Sequence, residues 1–302
     1  GFSIVPKQDQ ILVLIEKYKK RIAESELKDE LYKWELLAQY RGRPDTNAID
    51  FEQEIKAVKF GNLIYAMGMA VANHLAKEKP EELRALFVKL FDESTELATR
   101  VKAFNVDSLK LYREIDGKLQ HHQDERSIAT YLTFHNPDKY TFYKYSFYQK
   151  LCKLMGVKEA KKNEKYVHYL GLIQDISDNY IKEDEQLINQ VKSYLPDYYD
   201  GTNHNLLAQD ILYQMLDQKE AVSYWVFQGN PKAFDFETAL NEGLLDDWTV
   251  SAHKDKINEG DKVIIWITGD KSGCYALAEV TSEPHVKENS SDDHLWKAKE
   301  KS

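Results

Sequence analysis

Up to Leu216 the apolar residues of this chain recur at spacings of three and four, and from Ser223 onward they fall in short alternating or continuous runs between glycine turns. A helix face repeats every 3.6 residues and a pleated strand every 2, so one sequence cannot satisfy both periods with a single kind of element. The switch therefore demands two differently built parts, and the polar joint Asp217–Glu220 is where the chain can change from one to the other. We place the boundary there, with a helical domain at 1–219 and a second domain at 220–302.

The first part reads as successive amphipathic helices. Ile11, Leu14, Ile15, Tyr18 and Ile22 share one face of a helix over 10–23, and Leu31, Trp34, Leu37 and Ala38 share one over 27–40, which Gly42 and Pro44 end. Asp50 is placed to cap the next segment. A helix over 62–79 carries Leu63, Ile64, Met67, Val71 and Leu75, and Pro80 opens its successor at a position where a missing N–H costs nothing. Asp124 or Ser127 caps a helix that Asn136–Pro137 ends. Six aromatic residues then crowd into nine positions, from Tyr140 to Tyr148. Such a cluster can stack bases, but bulky side chains are more often buried, and we read it as a plug between helices. Helices over 164–180, 183–194 and 206–216 complete this part.

In the second part, 223–228 reads as a strand ending in the Gly229–Asn230–Pro231 turn, 236–243 as a short helix, and 262–268 and 274–281 as a strand pair. Four of the five tryptophans, Trp225, Trp248, Trp266 and Trp296, lie in or just after this stretch. Within β-type alternation Trp266 competes with Ile265 and Ile267 for the inside, and we expect Trp225 and Trp266 to be core.

Charge narrows the functional classes. The chain carries a net −9. Residues 220–302 hold 16 acidic against 9 basic side chains and the first 219 residues hold 34 against 32, so neither part has the basic excess on which bulk duplex attraction rests. Nucleic-acid binding would then work through a local pocket and a few placed cations. No phosphate loop, GxGxxG, HExxH or GxSxG occurs. Ser251, His253 and Asp255 alternate, but a triad needs its serine and histidine within hydrogen-bond reach and a third group orienting the histidine. His121 and His122, adjacent in sequence, read as a solvated loop pair rather than a metal site. Cys152 and Cys274 stand alone, so neither a disulfide framework nor a zinc site is expected. We expect no catalytic residue, no metal and no cofactor in this stretch. No apolar run is long enough to cross a bilayer, and we expect a cytoplasmic protein without membrane contact.

The run Tyr224–Pro231, the segment WTVSAHKDKI at 248–257 and GDKVIIWITGDKSGCYALAEVTSEP at 260–284 closely resemble the EVE domain, a PUA-like small barrel related to the YTH domains that read methylated adenine. The resemblance implies an α+β chain, a mainly helical domain followed by a mixed β-barrel that is incomplete at Ser302. It also implies a pocket for a flipped, modified base. Such a pocket needs aromatic walls, polar groups for the base edge and an apolar niche for a methyl group. By that resemblance Trp248 and Trp296 are the walls, Gln228 and Asn230 contact the base edge, Ser251 assists, and Lys232, Lys254 and Lys256 contact phosphates. The segments YKWELLAQYRGRP, NLIYAMGMAVANHL and ERSIATYLTFHNPDKYTFYKYSFYQKL resemble the region preceding an EVE domain in McrB-like subunits of modification-dependent restriction systems. This implies modified DNA, with a modified cytosine, as ligand. It further implies a downstream AAA+ GTPase through which subunits oligomerise, and a McrC-like nuclease partner. Three other readings stay open: an RNA-binding or RNA-modification PUA-like module, a protein scaffold carrying a small-molecule sensor, and a hydrolase built on Ser251 and His253.

Overall fold

The computed structural model of the chain describes residues 9–216, 224–241, 256–257 and 259–281. Its contacts divide the chain into two compact units, Gly1–Ile115 with His122–Gln218, and Asp116–His121 with Lys219–Ser302.

Among the described residues the first unit contains eleven α-helices and no strand: α1 (Gln10–Ala23), α2 (Leu31–Tyr40), α3 (Phe51–Ala57), α4 (Ala66–Glu78), α5 (Pro80–Leu90), α6 (Leu97–Glu114), α7 (Glu125–His135), α8 (Tyr145–Met155), α9 (Lys165–Ile176), α10 (Glu185–Tyr194) and α11 (Asn205–Leu216). Their starts follow from local chemistry. Asp9, Asp50, Asp124 and Asp184 each accept a backbone N–H of the first turn, satisfying donors that a helix N-terminus leaves orphaned. Pro80 opens α5 as its fixed φ allows, and Gly156 closes α8 at φ +68°.

Two boundaries depart from the periodicity for visible reasons. α2 begins at Leu31 rather than at residue 27, because the Gln214 side chain accepts from Lys28 N (3.0 Å) and donates to Lys28 O (2.9 Å), committing that backbone elsewhere. The segment over 62–79 breaks after a short 3₁₀ turn, Gly61–Leu63, where the Leu63 carbonyl accepts from Thr130 Oγ1 at 3.2 Å. His122 is also a correction. The loop pair was expected in solvent, yet His122 is buried, at φ +51°, with its ring edge-on to Tyr65 at 5.1 Å.

The aromatic run is a plug. Tyr140, Phe142, Tyr143, Phe147 and Tyr148 are buried. Tyr143 lies 5.4 Å from Tyr169 and 5.8 Å from Tyr166, edge-on to both, and Tyr166 donates its hydroxyl to Thr141 O at 2.8 Å. Each ring therefore contributes area and aromatic geometry to one core, and each phenol whose bond is seen has found an acceptor.

The most demanding contact joins α1, α2 and α11. Lys33, 1% exposed, places Nζ 2.6 Å from Asp210 Oδ1, while Tyr18 donates its hydroxyl to Asp210 Oδ2 at 2.7 Å. The Lys33 ammonium also lies 5.0 Å from the centroid of the Tyr213 ring. Burial, then the Asp210 charge, push the Tyr18 phenol well above its ordinary range, so the hydroxyl stays a donor. A buried pair of this kind contributes little over an apolar substitute, but breaking it strands a charge. Asp210→Ala is expected to cost about 3–5 kcal/mol, measured by urea unfolding followed by circular dichroism. Replacing Tyr18, Lys33 and Asp210 together by Phe, Met and Leu is expected to cost much less.

The second unit holds β1 (Tyr224–Gly229), α12 (Phe236–Asn241), β2 (Lys262–Ile267) and β3 (Gly273–Glu279), in a sheet of order β1-β2-β3. β1 runs parallel to β2, and β2 antiparallel to β3 with an irregularity between Ile265 and Trp266. Its own core is Phe234, Phe236, Ala239, Val263, Ile265 and Ile267. The described residues form a three-stranded mixed sheet with one helix.

Candidate base-binding site

β1 sorts its side chains by alternation. Trp225 and Phe227 pack on the core, and Tyr224, Val226 and Gln228 point out. The inward choice is reinforced by Trp225, whose Nε1–H donates to Asp261 Oδ2 at 2.8 Å, giving a buried carboxylate a partner and the indole a fixed direction. The expectation that Trp225 is a packing residue therefore agrees with its position.

Trp266 does not follow the expectation. Val263, Ile265 and Ile267 take the inside of β2, so Trp266 falls on the outer face and is 38% exposed. Three branched side chains at period 2 fill the core side, and one indole between them has only the other face available. In the parallel register Gln228 is the direct partner of Trp266. An indole and an exposed amide thus stand side by side on neighbouring strands, and the Gln228 amide has no hydrogen-bond partner among the described residues. The same face carries Tyr224, Val226 and Leu277, all exposed, and ends in the Lys262–Glu279 ion pair. The signal that could have revealed Trp266 was the inward set of isoleucine and valine, once the strand was known to bury only one face.

The end of β1 is shaped by a glycine. A Cβ at Gly229 would stand 2.2 Å from Phe236 Cζ, so no other residue lets the Phe236 ring cross the strand there. Gly229 O accepts from Thr268 N at 2.9 Å, closing the β1–β2 pair. Asn230 follows, exposed. Its Oδ1 accepts from Lys232 N at 2.9 Å and its carbonyl accepts from Ala233 N and Phe234 N, an Asx-type turn that leads toward α12. Asn230 therefore orders the turn with its oxygen, and its Nδ2 has no partner among the described residues. Lys232 is exposed at the tip of this turn, and Lys256 is also exposed.

Gln228 thus lies near the end of β1 beside Trp266, and Asn230 and Lys232 lie in the turn that follows. Trp248, Ser251, Lys254 and Trp296 lie outside the described residues, as do His253 and Asp255 of the alternative hydrolase reading. Among the described residues no cluster of three or more His, Cys, Asp or Glu is arranged to hold a metal ion, and no helix is long and apolar enough to cross a membrane.

Residues 223–302 match the EVE domain family. The match spans β1 through the end of the chain, and it supports, at a coarse level, a PUA-like nucleic-acid-binding module there. No curated protein and no solved structure matches the chain. EVE is a binding domain rather than a typical catalyst.

Gly229→Ala is expected to destabilise the EVE part by about 1–3 kcal/mol through overpacking against Phe236. Tryptophan fluorescence reads this selectively, because only Trp34 lies outside the EVE part. The fluorescence midpoint should fall while the helical circular dichroism transition holds.

Proposed function

We propose that this chain is the recognition module of a McrB-like modification-dependent restriction system, binding DNA with a modified cytosine flipped into an aromatic pocket of its EVE part. The observation that carries the reading is the EVE match at 223–302, joined to an exposed Gln228 at the end of β1 that has no hydrogen-bond partner among the described residues. A base taken out of the stack exposes both π faces and a Watson–Crick edge of donors and acceptors. Trp248 and Trp296 supply the walls in this reading, and the amides of Gln228 and Asn230, each donor and acceptor together, read the edge with help from Ser251. Lys232, Lys254 and Lys256 neutralise the flanking phosphates. The completed barrel, the boundary near residue 219, a downstream AAA+ GTPase that assembles subunits, a McrC-like nuclease partner and a cytoplasmic setting belong to the same proposal. In it this stretch binds without catalysing and without a cofactor.

The McrB-like assignment rests on the YKWELLAQYRGRP, NLIYAMGMAVANHL and ERSIATYLTFHNPDKYTFYKYSFYQKL segments of the helical unit. A PUA-like RNA module is the second reading, favoured by the EVE match itself, which does not choose between the two nucleic acids. The 2′-hydroxyl separates them.

Trp248→Ala is expected to abolish the preference for modified over unmodified cytosine, a loss of about 1–3 kcal/mol per stacking face, measured by competition binding with matched DNA oligonucleotides. A folded variant with unchanged discrimination would contradict the site. Gln228→Ala should weaken binding of the modified oligonucleotide by about 0.5–1.5 kcal/mol, the net worth of one hydrogen bond, with no change in the melting of the EVE part.

A further inference from the structure

The helical unit has almost balanced charge, but the balance is uneven along the chain. From Lys144 to Lys165 there are seven lysines against two glutamates, a local net of +5 in a chain of net −9. This stretch is Lys144, which precedes α8, then α8, the connection that follows it and the first residue of α9.

The fold turns the run into a surface. α8 buries Phe147, Tyr148, Leu151 and Cys152, which leaves the half-buried Lys150 and the exposed Lys153, three residues apart, on the other side. Gly156 ends the helix in the left-handed region, and the chain that follows exposes Lys158, Lys161 and Lys162. Of these, Lys150, Lys153, Lys158 and Lys161 make no ion pair among the described residues, and the two local glutamates do not neutralise them. Glu159 stands 4.0 Å from Lys165, whose ammonium lies 4.3 Å from the Tyr145 ring centroid. At the start of α9 Glu125 accepts from Asn163 N at 3.1 Å and from Tyr166 N at 2.8 Å, which places a carboxylate there. The cations an anion would meet here are the lysine side chains.

Four cations close in sequence and without an ion pair among the described residues cost self-repulsion that a chain with 50 acidic residues could readily have relieved. Their chemistry complements a row of phosphates, each lysine a point charge that replaces condensed counterions. We infer that the α8–α9 strip of the helical unit, Lys150, Lys153, Lys158 and Lys161, binds the phosphate backbone of the same nucleic acid that the EVE part reads. This rests on the proposed nucleic-acid function and adds a sequence-independent contribution to the few phosphate contacts proposed for the acidic EVE part. The pocket then supplies discrimination and the strip supplies affinity.

The test uses the full chain with Lys150, Lys153, Lys158 and Lys161 changed together to Gln. A control changes Lys17, Lys77, Lys102 and Lys110, all exposed elsewhere on the helical unit, to Gln, so both variants lose the same net charge. Binding to a modified and an unmodified duplex is followed across salt concentrations by fluorescence anisotropy. The strip variant is expected to flatten the dependence of log affinity on log salt by about 0.9 for each lysine in contact, and to weaken both duplexes by the same factor. The control should leave the slope almost unchanged. Equal effects of the two variants, or an unchanged slope in the strip variant, would overturn the inference. So would strip-dependent binding to phosphatidylserine vesicles with DNA binding intact, which would make the partner a lipid surface. The ratio of modified to unmodified affinity reads the pocket separately: if it is one in the unaltered chain the base-reading proposal fails, while the slopes still decide the strip.

Discussion

Three helices of the first unit meet on one carboxylate. Asp210 on α11 takes the Lys33 ammonium from α2 at 2.6 Å and the Tyr18 hydroxyl from α1 at 2.7 Å, all of them removed from water. Neither oxygen is left without a partner, and that completeness is what makes burial of a charge tolerable. The arrangement also fixes register, since sliding any one helix by a turn would bury a lysine, a phenol or a carboxylate alone. The apolar faces of α1, α2 and α11 could pack in several ways, whereas this contact admits one. Around it the aromatic cluster from Tyr140 to Tyr148 packs as core, and so the feature of the helical unit most suggestive of base stacking is structural.

In the second unit the corresponding constraint is the inside of β2. Val263, Ile265 and Ile267 occupy it, Phe236 closes over Gly229, and the groups left outside are those with binding chemistry: Trp266, Gln228, Asn230 and Lys232. This separation of core and surface is a consequence of a period-2 strand burying one face. It leaves a local polar edge on an acidic module; in the reading proposed above that edge meets a base, and the inferred lysine strip on α8 and the connection after it supplies the attraction.

Much of the fold was legible in the residues. The aspartate caps, Pro80, Gly156 and the 3.6-residue spacing place the helices to within a few residues, because those are local effects. What escaped was set by partners distant in sequence. The late start of α2 comes from Gln214, nearly the whole unit away, and the burial of His122 comes from its packing against Tyr65. No local pattern marks Lys33 for burial, because its counter-charge lies on α11. Gln228, Asn230 and Lys232 were singled out by resemblance; the structure gives their places, a strand end and a turn, and leaves their roles to the proposal. Trp266 was assigned to the core because alternation alone cannot say which of two apolar sets faces in; that choice is made by the shape of the core, where the rings of Phe234 and Phe236 sit with three branched side chains.

The central claim is that a modified base leaves the helix and enters the EVE part. Its most direct measurement places 2-aminopurine next to a modified cytosine in a duplex and follows its fluorescence as the full chain is added, since unstacking of the neighbour releases the quenched probe. The account predicts a saturable rise with the modified duplex and none with the unmodified one. Full binding with no rise, or an equal rise on both duplexes, would contradict it.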